Sequence, residues 1–249
     1  MQEFSYTPHL GFFDVNTAGR DFVVGDVHGH FEMLDALLAD IGFAPAVDRL
    51  FCTGDLIDRG PCSEDVLDWL SRPWFHAVRG NHEQMVLDYI AGTGDAPRHA
   101  RNGGAWFYEL PHARQAQISA ALCSMPVALQ VRLNEGHAIG VIHAECPSWE
   151  KGLSWQESIR LLVARQHPGQ PNALMQALYA RGKITRQDAT PIQGISTVYV
   201  GHSTVPQVTR HGNVAYIDTG CSFADGHLSA IELGSERLFR VFPGTARPA

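Results

Sequence analysis

The apolar positions in the first third of the chain alternate between two periods. Asp21–Val24 is a short apolar run that predicts a strand. A turn follows, and then Phe31, Leu34, Leu37, Leu38 and Ile41 recur at helical spacing, with Gly42 as the stop. The same order returns twice. Leu50–Cys52 predicts a strand and Ser63–Leu70 a helix, with Ser63 as its N-cap and Glu64 and Asp65 in its first turn. Trp74–Val78 then predicts a strand and Glu83–Ile90 a helix with Met85, Val86, Tyr89 and Ile90 on one face. Strand, turn and helix three times over imply βαβ units and a parallel sheet. Residues 91–125 change texture, being rich in Gly, Pro and Ala with short helical stretches. Further strands are predicted at Val127–Leu133, Ala138–Ile142, Thr197–Val200, Val214–Ile217, Leu228–Leu233 and Leu238–Phe242. Residues 150–187 read as mostly helical, broken around His167-Pro168-Gly169. One mixed α/β domain over 1–249 with a second sheet fits this order, with 243–249 as a mobile tail.

Composition narrows the class of function. The chain has 249 residues, 45% hydrophobic and 18% charged, which suits one globular core and excludes a disordered segment. No apolar run approaches the roughly 18–20 residues of a membrane span. The formal charge of −7 argues against nonspecific binding to nucleic acid or an anionic membrane. The N-terminus lacks the basic and apolar regions of a signal peptide, and the five cysteines are scattered with no C-x-x-C pair. A reducing cytoplasm and a monomeric state are therefore expected.

The polar residues fall at the ends of the predicted strands. Five strands each run into a turn carrying metal-ligand side chains: Gly25-Asp-Val-His-Gly, Gly54-Asp-Leu-Ile-Asp-Arg-Gly, Gly80-Asn-His-Glu, His143, and Gly201-His202. Parallel strands share a carboxyl edge, where active sites of open α/β sheets form. One such Asp or His is ordinarily a turn or cap residue. The ordered set gathers Asp26, His28, Asp55, Asn81, His143 and His202, too many ligands for one tetrahedral ion and suited to two ions sharing a carboxylate. Nitrogen and oxygen donors without thiolate fit Mn, Fe, Zn or Ni, and paired ions serve displacement at phosphorus.

These blocks resemble the signatures of the phosphoprotein phosphatase (PPP) family of calcineurin-like metallophosphoesterases. Within it they resemble the phage lambda protein phosphatase and the bacterial PrpA/PrpB phosphatases. Ala77-Val-Arg-Gly-Asn-His-Glu-Gln-Met, Asn102-Gly-Gly-Ala-Trp-Phe, Gly201-His-Ser and Tyr216-Ile-Asp-Thr-Gly extend the resemblance over about residues 20–222. It implies a four-layer αββα sandwich of two mixed sheets, two divalent ions (Mn2+ foremost), and hydrolysis of phosphoserine or phosphothreonine, with phosphotyrosine a further substrate. It also implies direct attack by a hydroxide that the metal pair activates. By motif, Asp26 and His28 hold one ion, Asp55 bridges, and Asn81, His143 and His202 hold the other. His82 corresponds to the general acid, Asp58 to its orienting carboxylate, and Arg59, with Asn81, to phosphate-binding residues. Arg181 in Tyr179-Ala-Arg-Gly-Lys-Ile is the best match for a second phosphate-binding arginine, although bacterial members usually carry Trp-x-Arg there. Arg160, Arg165 and Arg186 stay open as substitutes.

Other chemistries are poorly matched. No cysteine has an arginine six positions on, Gly-x-Ser-x-Gly is absent, and there is no Walker loop. A symmetrical dinucleoside tetraphosphate hydrolase shares the implied fold, but typically shows Gly-Asn-His-Asp and lacks the Asp-Arg pair. A non-catalytic binding module is the third reading, disfavoured by the intact ligand set. Arg98, His99 and Arg101 read as a solvated loop rather than a substrate groove, and Trp106 and Phe107 as core.

Overall fold

The computed structural model describes residues 9–164 and 172–244. Two sheets carry the chain. The first has strands β1 (Leu10–Phe13), β5 (Ala128–Asn134), β6 (His137–Ile142), β7 (Thr197–Val200), β8 (Thr209–His211) and β9 (Val214–Tyr216), in the order β1-β5-β6-β7-β9-β8. The second has β2 (Asp21–Val24), β3 (Arg49–Cys52), β4 (Phe75–Ala77), β10 (Leu228–Glu232) and β11 (Leu238–Val241), in the order β11-β10-β2-β3-β4. The neighbours β2, β3 and β4 are parallel, as are β6, β7 and β9, whereas β10 and β11 run antiparallel.

Period-2 alternation sorts these strands into layers, because successive side chains leave a strand on opposite faces. Val23, Phe51, Leu129, Val141 and Tyr199 pack in one cluster between the sheets. Their chain neighbours Phe22, Val24, Leu50 and Cys52 face a second cluster, against helices α1 (Phe31–Asp40), α2 (Val66–Leu70) and α3 (Asn81–Ile90). Ala128, Ile142, Val198 and Val200 face a third, with Trp155, Ile159 and Ala177 from helices further along the chain. Two sheets flanked by helices on both outer faces result, as expected from the resemblance. The central strands β2, β7 and β9 are buried throughout and β3 nearly so, which is why those runs read as continuously apolar.

Several local expectations are corrected. Strands β1 and β8, each of four residues or fewer, were not anticipated. The 63–70 segment is a 3₁₀ turn at Ser63–Asp65 leading into α2, and Ser63 is not its cap. Helix α3 starts two residues earlier than predicted, so Asn81 and His82 lie in its first turn. Residues 91–125 fold as three helices, α4 (Ala96–His99), α5 (Ala105–Glu109) and α6 (His112–Cys123), with a wide turn at Ala100–Gly104 between the first two. The later helices are α7 (Trp155–Val163), α8 (Ala173–Tyr179) and α9 (Gly182–Thr185); the predicted break at 167–169 lies outside the described residues.

Candidate metal centre and phosphate cleft

The turns after β2, β3, β4, β6 and β7 meet at one edge of the sandwich. Their backbone is held in unfavourable conformations. Among the described residues, eight non-glycine residues have positive φ, and five of them are His28, Asp55, Asp58, Arg59 and His202. Left-handed backbone costs an L-residue energy and persists where surroundings over-determine it, as at functional sites. Glu83 supplies much of that restraint. Its buried carboxylate accepts N–H bonds from Asp55 (3.0 Å), Leu56 (2.8 Å) and Gly80 (2.7 Å), tying the β3 turn to the start of α3. Burial, with the Asp55 charge beside it, pushes the Glu83 carboxyl up to about 7. Gly80 must be glycine, since a Cβ there would collide with the Asp55 carboxylate.

Asp55 belongs to two donor triads at once, His28–Asp55–His82 and Asp55–His143–His202, with the ligand atoms of each triad within 4.8 Å of one another. Asp55 Oδ2 lies 3.7 Å from His28 Nε2 and 3.8 Å from His82 Nε2, while Oδ1 lies 3.5 Å from His143 Nε2. Asn81 Oδ1 completes the second group, 3.0 Å from His143 Nε2 and 2.7 Å from His202 Nδ1.

Hydrogen-bond logic assigns the imidazole tautomers. His28 Nδ1 donates to the Ile57 carbonyl, His143 Nδ1 to Thr53 and His202 Nε2 to Tyr179, at 3.0, 2.8 and 3.2 Å. Each ring therefore turns a lone pair inward, the arrangement by which metal-binding histidines are oriented. Burial keeps the rings neutral, pulling His28 and His202 each down to about 3 and lowering His143. His143 Nε2, His202 Nδ1 and Asn81 Oδ1 thus converge as acceptors with no proton between them. Such a buried cluster is satisfied by a cation, so the donors fit divalent metal.

Asp26 lies beside this centre in a different posture. Its oxygens accept from Thr53 Oγ1 and the His202 amide, both at 2.8 Å, and it stands outside both triads. Burial, with the Asp218 and Asp55 charges, pushes its carboxyl well up, so an adjacent cation is what would hold it ionised. The Arg59 guanidinium faces the same centre, with Nη1 2.8 Å from His28 Nε2 and Nη2 3.2 Å from His82 Nε2.

His82 sits beside Asp58, with Nδ1 2.7 Å from Asp58 Oδ2. Burial works against its protonation, but the Asp55 and Asp58 carboxylates outweigh that and raise its pKa. Asp58 is itself fully buried and held by more partners than the motif disclosed. His99 Nε2 lies 2.8 Å from the same Oδ2, Trp106 Nε1 donates to Oδ1 at 2.8 Å, and the Asp58 amide donates to Ser63 Oγ at 2.9 Å. Tyr108 closes the chain with its hydroxyl 2.9 Å from His99 Nδ1. The expectation of a solvated loop therefore fails for His99, which is 1% exposed. Trp106 is more than core filling. The signal that marked this segment was the Asn102-Gly-Gly-Ala-Trp-Phe block. Gly103 takes φ of 101° against the Arg59 backbone, and a Cβ on Gly104 would strike the His99 ring.

An open cleft lies over the triads, lined by Arg59, Arg98, Arg181, Tyr179 and Phe223 as well as His82. Arg181 donates to the His202 carbonyl at 3.0 Å. Of the substitutes, Arg186 pairs with Glu150 and stacks on Trp149, Arg160 is exposed on α7 away from the cleft lining, and Arg165 lies outside the described residues.

The calcineurin-like phosphoesterase family matches residues 22–206. Serine/threonine-protein phosphatase 1 of Salmonella typhimurium is 38% identical over 206 residues, covering 81% of this chain and 87% of that protein. The symmetrical bis(5'-nucleosyl)-tetraphosphatase of Serratia proteamaculans is 45% identical over only 73 residues, covering 28% of this chain and 26% of that protein. Among solved structures, a protein serine/threonine phosphatase from Saccharomyces cerevisiae with similarity to human phosphatase PP5 superposes with a TM-score of 0.62. It is 17% identical and covers 97% of this chain and 86% of that one, a likeness of fold.

Proposed function

The chain belongs to the calcineurin-like phosphoesterase family, and on that premise we propose that it is a metal-dependent protein serine/threonine phosphatase. The observation that carries the reading is Asp55, with Oδ2 toward His28 and Oδ1 toward His143 beside Asn81 and His202, under a cleft that holds guanidinium groups and the His82–Asp58 pair. The relative that spans most of the chain is a protein phosphatase, whereas the dinucleotide hydrolase matches a short stretch.

Asp26, His28, Asp55, Asn81, His143 and His202 would hold two divalent ions in this reading, with Asp55 common to both. The native ions are manganese, which the mixed nitrogen and oxygen donors without thiolate accommodate. When bound, the ions supply Lewis acidity and a nucleophilic hydroxide near neutral pH. The protein's own groups do the rest. Arg59 and Arg181, with the Asn81 amide, receive the phosphoryl oxygens and offset their charge in the transition state. His82 Nε2 faces the cleft and gives its proton to the departing serine or threonine oxygen, while Asp58 holds Nδ1 and stabilises the protonated ring. Direct attack leaves no phosphoenzyme. The strained turns keep these groups in place before substrate arrives.

The test compares a phosphoserine peptide with a dinucleoside tetraphosphate, using purified protein and added Mn2+. Faster hydrolysis of the peptide is expected; hydrolysis of the dinucleotide alone would overturn the reading.

A further inference from the structure

Arg59 and Arg181 account for the phosphoryl group, yet a third guanidinium, Arg98, lines the same cleft. Several arginines elsewhere on this acidic chain are ion-paired, Arg20, Arg49, Arg114 and Arg186 among them. Among the described residues no carboxylate pairs with Arg98. Its guanidinium instead lies 6.0 Å from the Tyr179 ring centroid, a contact that positions a cation without cancelling its charge.

The backbone that carries Arg98 is fixed. Its amide donates to the Asp95 side chain at 2.9 Å, and the next residue is the buried His99, anchored on Asp58. Asp58 in turn orients His82, the proton donor to the leaving group. Arg98 enters the cleft beside Tyr179, whose carbonyl accepts from His202, so its positive charge faces the bound substrate from that wall.

We propose that Arg98 forms an anion subsite in the cleft beside Tyr179, taking a carboxylate side chain next to the phosphorylated serine or threonine. The proposal rests on the phosphatase reading and adds to it a substrate class, acidic phosphopeptides. An ion pair at a cleft rim is modest and salt-screened, so the preference is about three- to tenfold at low ionic strength.

The experiment uses two phosphoserine peptides that differ only in carrying Glu or Gln beside the phosphoserine, with diadenosine tetraphosphate as a third substrate. The unmodified enzyme is expected to favour the Glu peptide in kcat/KM, the ratio to fall toward one in Arg98→Met, and to invert in Arg98→Glu. Equal rates on both peptides, or a ratio that survives Arg98→Met, overturn the subsite alone. If Arg98→Met slows the dinucleotide and leaves the peptide ratio intact, the subsite serves a phosphate and the acidic-peptide assignment is wrong. An enzyme that hydrolyses neither peptide overturns the phosphatase reading and the subsite with it.

Discussion

His99 Nε2 and Asp58 Oδ2 stand 2.8 Å apart in the interior, at the same oxygen that His82 Nδ1 approaches to 2.7 Å. His99 touches neither the cleft nor a donor triad, so it acts by positioning. His99→Leu leaves a buried carboxylate oxygen short of one donor and is expected to lower kcat on a phosphoserine peptide about 10-fold or more. An aryl phosphate, whose leaving group needs little protonation, should suffer less. His99→Gln, which keeps an N–H within reach of Asp58, should recover part of the loss. Equal losses on both substrates would reduce His99 to a packing role.

Removing the proposed acid should give the larger effect. His82→Asn is expected to depress kcat on the phosphoserine peptide by about 10²–10⁴-fold, the usual contribution of general acid catalysis. Metal content, measured by elemental analysis, should stay near that of the parent protein. The ratio of losses on serine and aryl phosphates reports the protonation step.

Asp55→Asn tests the shared carboxylate. Because Asp55 borders both triads, its neutralisation should weaken retention of both ions rather than one. Elemental analysis after gel filtration reads this out directly, and a fully loaded variant would contradict the bridging role.

The buried histidines set a pH dependence for chelator-treated protein. His28 and His202 are pulled down to about 3, below the ordinary 6.5 of an exposed imidazole. Between those values the unfolded chain binds more protons than the folded one, so stability rises with pH over that window and is lost on acidification. Glu83, raised to about 7 from 4.5, acts in the opposite direction between those two values, since its folded form holds the proton. Removing the opposing contribution in Glu83→Gln should therefore make the urea midpoint fall more steeply from pH 6.5 to pH 5 than in the parent protein; equal slopes would refute the assignment.

The metal side of the cleft was readable because each candidate ligand sits within a few residues of a strand end, all but His143 in a turn that glycine punctuates. Gly25, Gly54, Gly80 and Gly201 announce sharp turns whatever the tertiary structure, and the donors follow immediately. The leaving-group side was not readable in the same way. His99 and Trp106 reach Asp58 across 41 and 48 residues, and no local period records that approach. Ser63 was misread for a related reason. A serine ahead of acidic residues looks like a cap, but here its hydroxyl accepts the Asp58 amide. Strand β1 escaped notice because it is short and pairs with the distant β5, and β8 because its three residues are polar and form a tight hairpin with β9.

The turns that carry the donor triads and the 95–108 segment that shelters Asp58 have separate origins in the chain, and they meet at one buried oxygen. Arg98 lines the cleft from the same short segment whose His99 and Trp106 hold Asp58, so an insertion or deletion there would disturb the footing of His82 together with the rim of the cleft.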